Sequence, residues 1–209
     1  METYSVITGD LIGSLNLEPE AIKAMLQAMT HDLDAEILTL DLSIFQYRGD
    51  GFQLICKDSS RGVRVMLLIR AWLAWRSHEF TGEVLGARLF LGVGAATVLA
   101  SLGASAGDAF TFSGRGLDAL KRPFTMGMAT YKGPEADKPL QHMVIMLDEI
   151  SSRWKTSQAE AMFYLLKGHT YAQIASIRKK SIASIGQASR ASGWPRLADS
   201  LIFMDTLLR

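Results

Sequence analysis

The chain has 209 residues, 48% hydrophobic and 21% charged, with 22 Lys and Arg against 21 Asp and Glu for a net charge of +1. That balance excludes a disordered chain and a uniformly charged one, and the length allows one large domain or an ordinary domain with a small appendage. The single cysteine, Cys56, excludes an internal disulfide and points to a reducing compartment, so a cytoplasmic protein is expected.

The opening Met-Glu-Thr-Tyr-Ser has no basic region and precedes too short an apolar run for a signal peptide, so export is not expected. Val6 to Ser14, Val-Ile-Thr-Gly-Asp-Leu-Ile-Gly-Ser, reads as a short strand that delivers Asp10 to its C-terminal end, with the small residue Gly13 following. An acid at the carboxyl end of a sheet strand suits a metal-phosphate site, whereas a structural role would have Asp10 cap the next turn. Pro19 to about Leu33 repeats apolar residues at helical spacing, and Ile37 to Tyr47 alternates as a strand. Arg48-Gly49-Asp50-Gly51 is a tight turn leading into the strand Phe52 to Cys56, which predicts a hairpin.

Ser60 to His78 predicts a helix with a broad apolar face, in which Trp72 and Trp75 serve packing. Leu89 to Ala106 runs eighteen residues without a charge and touches the lower edge of membrane-spanning length, but its glycines, serines and threonine dilute it. Its first half fits the strand Ala87 to Ala95, where Gly92 and Gly94 admit close approach of another backbone or a ligand, and no membrane span is expected. Gly107 to Lys121 predicts a helix closed before Pro123, and Phe124 to Tyr131 a last strand. The order strand, helix, hairpin, helix, strand, helix, strand predicts an α+β fold, a ferredoxin-like split βαβ sheet with one extra helix and strand.

Leu140 to Arg153 reads as a connecting helix, and the remainder is helical in pattern. Ser157-Gln-Ala-Glu predicts a capping box for a helix through Leu166. Thr170 caps a short helix to Ile177, Arg178-Lys179-Lys180 makes a basic turn, and Ser181 caps a third helix to about Ala191. Together they predict a helix-turn-helix, followed by a final helix from Trp194 and Pro195. The expected division is a sheet domain over 1–137, a connecting helix over 138–155 and a helix-turn-helix domain over 156–209. Residues 151 to 196 carry eight basic side chains against the single acid Glu160, a net of +7, which points to a polyanion.

Asp50, at the tip of the hairpin, is the partner that brings two carboxylates to one edge of the sheet, an arrangement that suits Mg²⁺ or Mn²⁺; the structural alternative is a plain Asp-Gly turn. Thr8-Gly9-Asp10-Leu11-Ile12-Gly13-Ser14 and Arg48-Gly49-Asp50-Gly51-Phe52 resemble the two metal-binding segments of class III nucleotidyl cyclases. Arg88-Leu-Phe-Leu-Gly92-Val-Gly94 resembles their glycine-bearing strand, and Gly107 to Arg115 their later catalytic helix. With Ser113-Gly114-Arg115-Gly116-Leu117-Asp118 and the appended helices, the whole chain is similar to the SatD-like family. The resemblance implies a nucleotidyl cyclase-like fold, metal ligation by Asp10 and Asp50, phosphate or ligand binding by Leu11, Ile12, Gly13, Ser14 and Arg48, and catalytic roles for Arg115 and Thr111. Thr111 stands where the cyclases carry asparagine, and losing such a donor costs about 3 kcal/mol, roughly a hundredfold in rate. A nucleotide or phosphate sensor is therefore expected in place of an efficient cyclase, the enzyme being the alternative.

Gln173-Ile174-Ala175 followed by Ser181-Ile-Ala-Ser184-Ile185 resembles the helix-turn-helix of LuxR-type and sigma-type regulators. In such a unit the second helix enters the major groove and basic residues at the turn meet phosphates. Arg178, Lys179, Lys180, Ser181, Ser184, Gln187 and Arg190 are the expected DNA contacts, with Ile182 and Ile185 buried beneath them. Docking or dimerisation is the other use of such helices. The four histidines fall in separate elements without ligand spacing, so zinc is not expected. The sequence thus predicts a cytoplasmic, homodimeric transcription regulator.

Overall fold

The computed structural model describes residues 2–34, 42–99 and 105–209, with the side chains of residues 34 and 42–48 outside that description. Period-two alternation along β1 (Thr3–Ile12) places Ser5, Ile7, Gly9 and Leu11 on one face of a sheet and Val6, Thr8 and Asp10 on the other. β1 is central, antiparallel to β3 (Gly51–Cys56) on one side and to β4 (Gly86–Thr97) on the other. β2 (Leu42–Arg48) pairs antiparallel with β3. The two-residue β5 (Ala106–Gly107) pairs antiparallel with the end of β4, and β6 (Met126–Thr130) lies parallel to β4. The protein is α+β, with a mixed sheet in the order β2-β3-β1-β4 and β6 beside β4.

Nine helices lie among the described residues. α1 (Pro19–Asp34) and α2 (Gly62–Arg76) cover the Ile7 face, where Met25, Met29, Leu54, Met66 and Leu91 are fully buried. α4 (Asp108–Ala119) covers part of the opposite face, where Val6, Ile55, Ala96 and Ala109 form a second, smaller apolar cluster. The predicted helix 60–78 divides into a 3-10 turn at Ser59–Arg61, α2, and the short α3 (His78–Thr81). Asp58 explains the first break, because its carboxylate accepts from Ser60 N at 3.1 Å and caps the turn. Residues 37–41 of the predicted strand 37–47 lie outside the described residues.

α5 (Pro134–Ser152) begins a turn and a half before the predicted Leu140, although Pro139 lies inside it. Two carboxylates fasten the helix to β6: Asp137 accepts from Thr130 N at 2.7 Å, and Asp148 accepts from Thr125 N at 2.7 Å and Met126 N at 3.0 Å. That fastening outweighs the one backbone bond that Pro139 cannot make.

The last four helices are α6 (Thr156–Leu166), α7 (Tyr171–Arg178), α8 (Ile182–Ala191) and α9 (Trp194–Leu208). α6 packs along α2, and one continuous core runs from Ile7 and Leu91 in the sheet to Ile185 and Leu208 in the helices. No helix among the described residues is long and apolar enough to cross a membrane, and the uncharged stretch after Arg88 supplies β4.

Gly92 lets α4 lie directly on β4. A Cβ there would fall 2.2 Å from Ala109 O and 2.7 Å from Ser113 N, whereas one at Gly114, on the same helix, would meet nothing within 4 Å. Gly92→Ala is expected to destabilise the protein by about 1 to 3 kcal/mol through overpacking. Gly114→Ala is expected to stabilise it by about 0.5 to 1 kcal/mol, since Ala is the better helix former. Urea unfolding of both variants checks this pair.

Candidate functional site

Asp10 lies within β1, two residues before its end, paired across to Gly51 of β3 and to Arg88 of β4. The sequence placed it at the tip of the strand; pairing with β3 does end at Asp10, but pairing with β4 carries the strand on to Ile12. The register sets the hairpin acid Asp50 close by. Arg88 faces the same side as Asp10 and donates from Nη1 to Asp10 Oδ2 at 3.0 Å. Its Nη2 reaches the carbonyls of Leu117 at 2.6 Å and Leu120 at 3.1 Å at the C-terminal end of α4. One guanidinium therefore brackets the sheet acid and the end of a helix.

The other oxygen, Asp10 Oδ1, is buried and has no hydrogen-bond partner among the described residues. Burial pushes the Asp10 carboxyl above the ordinary carboxylate range; Arg88 opposes the rise and Asp50 adds to it. Ser14 Oγ, itself buried, hydrogen-bonds Asp50 Oδ2. Gly13 makes the intervening turn at φ 91°, a conformation that a side chain disfavours. Of the other residues assigned to phosphate, Leu11 is buried in the core and Ile12 is exposed. The side chain of Arg48 lies outside the described part of the structure.

Arg115 and Thr111 are exposed on α4, and the Thr111 hydroxyl donates to Gly107 O at 3.1 Å within its own helix. The nearer polar link between α4 and the sheet is a relay. Gln53 Nε2 donates to Thr8 Oγ1 at 2.9 Å, Thr8 donates to Ser113 Oγ at 2.8 Å, and Ser113 donates to Phe110 O at 3.1 Å. Ser113 thus ties α4 to β1. Among the described residues no group of three or more His, Cys, Asp or Glu is placed to hold a metal ion. A Mg²⁺-type site needs only one or two carboxylates with water and phosphate, and the partnerless Asp10 Oδ1 beside Asp50 fits that smaller set.

The three-helix unit forms as its caps direct. Thr170 Oγ1 accepts from Gln173 N at 3.3 Å while Gln173 Oε1 accepts from Thr170 N at 2.8 Å, closing the box at α7. Lys179 turns the chain in the left-handed conformation at φ 51°. Ser181 Oγ accepts from Ser184 N at 3.1 Å and starts α8, so this hydroxyl serves the helix end. Ser184, Gln187 and Arg190 are exposed on α8 above buried Ile185.

Three expectations change here. The box at α6 sits two residues early: Lys155 N donates to Gln158 Oε1 at 2.9 Å, which releases Glu160 from capping. Glu160 is instead buried beneath the basic turn, where its side chain, 5% exposed, is ion-paired with both Arg178 and Lys180. Arg178 also lies over the Trp75 ring at 5.0 Å. These two cations are held to the fold, while Lys155, Lys179, Arg190 and Arg196 are exposed and in no ion pair among the described residues. Finally, Ile182 is 57% exposed because it occupies the first turn of α8, outside the contact that buries Ile185.

Arg88 and Glu160 are the residues that sequence reasoning missed. Arg88 left a signal, a lone charge in a strand whose alternate residues Ala87, Leu89 and Leu91 are apolar. Since a carboxyl raised by burial binds more protons folded than unfolded, stability falls as pH rises from the unfolded carboxylate range through the folded value. Arg88→Met removes the influence that lowers the Asp10 pKa and is expected to move it further up and steepen that fall; Asp10→Asn is expected to flatten it. Carboxyl-carbon NMR titration and urea unfolding across acidic pH check both. The chain matches no protein-family model and no curated protein sequence.

Proposed function

We propose that this chain is a DNA-binding transcription regulator in which α8 reads the major groove and the sheet part senses a phosphate-bearing ligand. The observation that carries the reading is the outer surface of α8: Ile182, Ser184, Gln187 and Arg190 are solvent-exposed on a helix whose opposite side is buried, with Lys179, in no ion pair among the described residues, at its start. Ser184 and Gln187 offer hydrogen bonds to base edges, and Ile182 offers an apolar contact to a thymine methyl. Lys179 and Arg190 supply phosphate contacts, while Arg178 and Lys180 contribute through the turn they hold. A reducing, cytoplasmic setting accords with the one buried cysteine. Exposed Ile202 and Phe203, side by side on α9, are suited to pairing two copies on a symmetric site.

The strand order β2-β3-β1-β4 with crossover helices supports a ferredoxin-like, nucleotidyl cyclase-like assignment, and with it the SatD-like family. Band shifts against genomic fragments at graded salt test the DNA reading. Lys179→Gln and Arg190→Gln are each expected to reduce the log–log salt slope by about 0.9, the effect of one phosphate contact. Glu160→Gln separates structure from binding: it is expected to cost about 1.5 to 3 kcal/mol of stability, as for hydrogen bonds to a charged group, while freeing two cations to strengthen DNA binding. Absence of salt-sensitive binding in the wild type overturns the reading.

Asp10 Oδ1 supports a second reading, a site for Mg²⁺ or Mn²⁺ with nucleotide, and through it a phosphoryl-transfer activity. Asp10 and Asp50 would hold the ion, which supplies positive charge to substrate phosphate oxygens. Addition of either ion at a hundred times its Kd is expected to stabilise wild type by about 2.7 kcal/mol and Asp10→Asn not at all. The gain is expected to vanish as acid protonates Asp10. Thermal melts with and without nucleoside triphosphate read this, and equal melts for both proteins reject the site.

A further inference from the structure

A cavity of about 690 Å³ opens between α5 and the junction of α8 with α9, remote from Asp10 in the fold. Its volume is that of a small-molecule site. Met143, Met146, Leu147, Ile150, Trp154 and Leu197 provide the apolar wall, aliphatic except for one indole. The cations Arg153, Lys155, Arg190 and Arg196 also line it, with no acidic side chain.

The charge is unusual because most of it is unanswered. Arg153 is paired with Glu149, which lies outside the lining, but Lys155, Arg190 and Arg196 make no ion pair among the described residues. Most of the neutral polar groups are already engaged, the exceptions among the described residues being His142 and the amide nitrogen of Gln158. Ser192 Oγ donates to Ser189 O at 2.9 Å, Ser200 Oγ to Arg196 O at 3.2 Å, and Trp154 Nε1 to Ser192 O at 3.1 Å, while Gln158 Oε1 accepts from Lys155 N. A ligand with several hydrogen-bonding groups along its body, such as a sugar or a base, would find its polar atoms facing hydrocarbon at a desolvation penalty. An aliphatic body with one anionic head satisfies both halves of the site: apolar surface is removed from water, and the head meets guanidinium or ammonium groups in charge-assisted hydrogen bonds.

We propose that this cavity binds an acyl-chain anion, a flexible aliphatic chain ending in a carboxylate or phosphate. The chain lies against Met143, Met146 and Ile150, and the head is held by Arg190 and Arg196. Met146, 64% exposed, stands at the mouth, where its flexible thioether can fold over a chain. Arg190 also belongs to the α8 surface proposed above for DNA, but the pocket is argued without that reading, and binding measured in the absence of DNA tests it alone.

Isothermal calorimetry of the full chain with submicellar dodecanoate, dodecyl phosphate, dodecanol and dodecyltrimethylammonium is the experiment. Dodecanoate or dodecyl phosphate is expected to bind one site per chain at least tenfold more tightly than the alcohol, and the preferred of the two identifies the head group. The cationic amphiphile is expected to give no saturable heat. The double variant Arg190→Gln, Arg196→Gln is expected to lose at least tenfold for the anions while leaving the alcohol unchanged. Met146→Trp is expected to weaken every chain by crowding the mouth; both changes are at exposed positions, and circular dichroism confirms the fold. No binding of either anion, equal binding of anion and alcohol, or anion affinity unaffected by the double variant overturns the proposal.

Discussion

Helix α2 has no polar side, and the arrangement of the molecule follows from that. Val63, Val65, Met66, Leu67, Leu68, Ile69, Ala71 and Trp72 are all fully buried, although they point around the entire helix. A helix apolar on every face has to be enclosed. The sheet encloses one side through β1 and β4, α6 the other, and α5 and α9 close the flanks. Burying a large aliphatic side chain is worth about 1.5 to 3 kcal/mol, so a sheet part without its helical cover would expose several such groups at once. The C-terminal helices are thereby part of the core, and the α7–α8 unit is held in a set position relative to Asp10.

Charged clamps select which helices do the enclosing. Arg70 on α2 pairs with Asp148 on α5 at 3.0 Å, both side chains nearly buried, and burial holds the Arg70 guanidinium below its ordinary pKa. Arg61 and Arg64 meet Asp205 on α9 at 2.8 and 3.3 Å. Asp32 on α1 accepts from Trp72 Nε1 at 2.7 Å and from Arg76 Nη1 at 2.5 Å. Removing ions from water offsets much of what such pairs gain, so apolar burial dominates stability. What the clamps contribute is selectivity: a helix docked without its carboxylate in place would leave a buried guanidinium unanswered.

The same balance governs the two surfaces of interest. At the sheet edge, Arg88 answers only one oxygen of Asp10, and Asp50 is already engaged by Ser14. That geometry leaves one buried carboxylate oxygen of Asp10 without a hydrogen-bond partner among the described residues. At the basic turn the compensation is partial: Glu160 pairs with two of the three cations that stand together in sequence, but its single negative charge offsets only one of them. The charge available to a polyanion is spread along Lys155, Lys179, Arg190 and Arg196, a broader footprint than the Arg-Lys-Lys run suggests.

The element order, the Asp-Gly hairpin, the Thr170 cap of α7 and the Ser181 cap were legible in the sequence because they depend on residues within four positions or on a fixed period. Asp10 and Asp50 could be brought to one edge of the sheet on paper because strand pairing is itself periodic. The partners of those acids were not legible. Arg88 is 78 residues from Asp10, and nothing local distinguishes an acid that will meet an arginine from one that will not. Glu160 read equally well as a capping residue, until packing against α2 turned it inward. Ile182 and Ile185 are three apart and looked equivalent, yet only tertiary contact put one in the core and the other in solvent. Sequence by itself determined the elements and their apolar faces, since these are set by short-range sterics and periodicity. Tertiary structure decided which charges are spent on the fold and which remain for a ligand, because electrostatic pairing depends on distance in space and on exclusion of water.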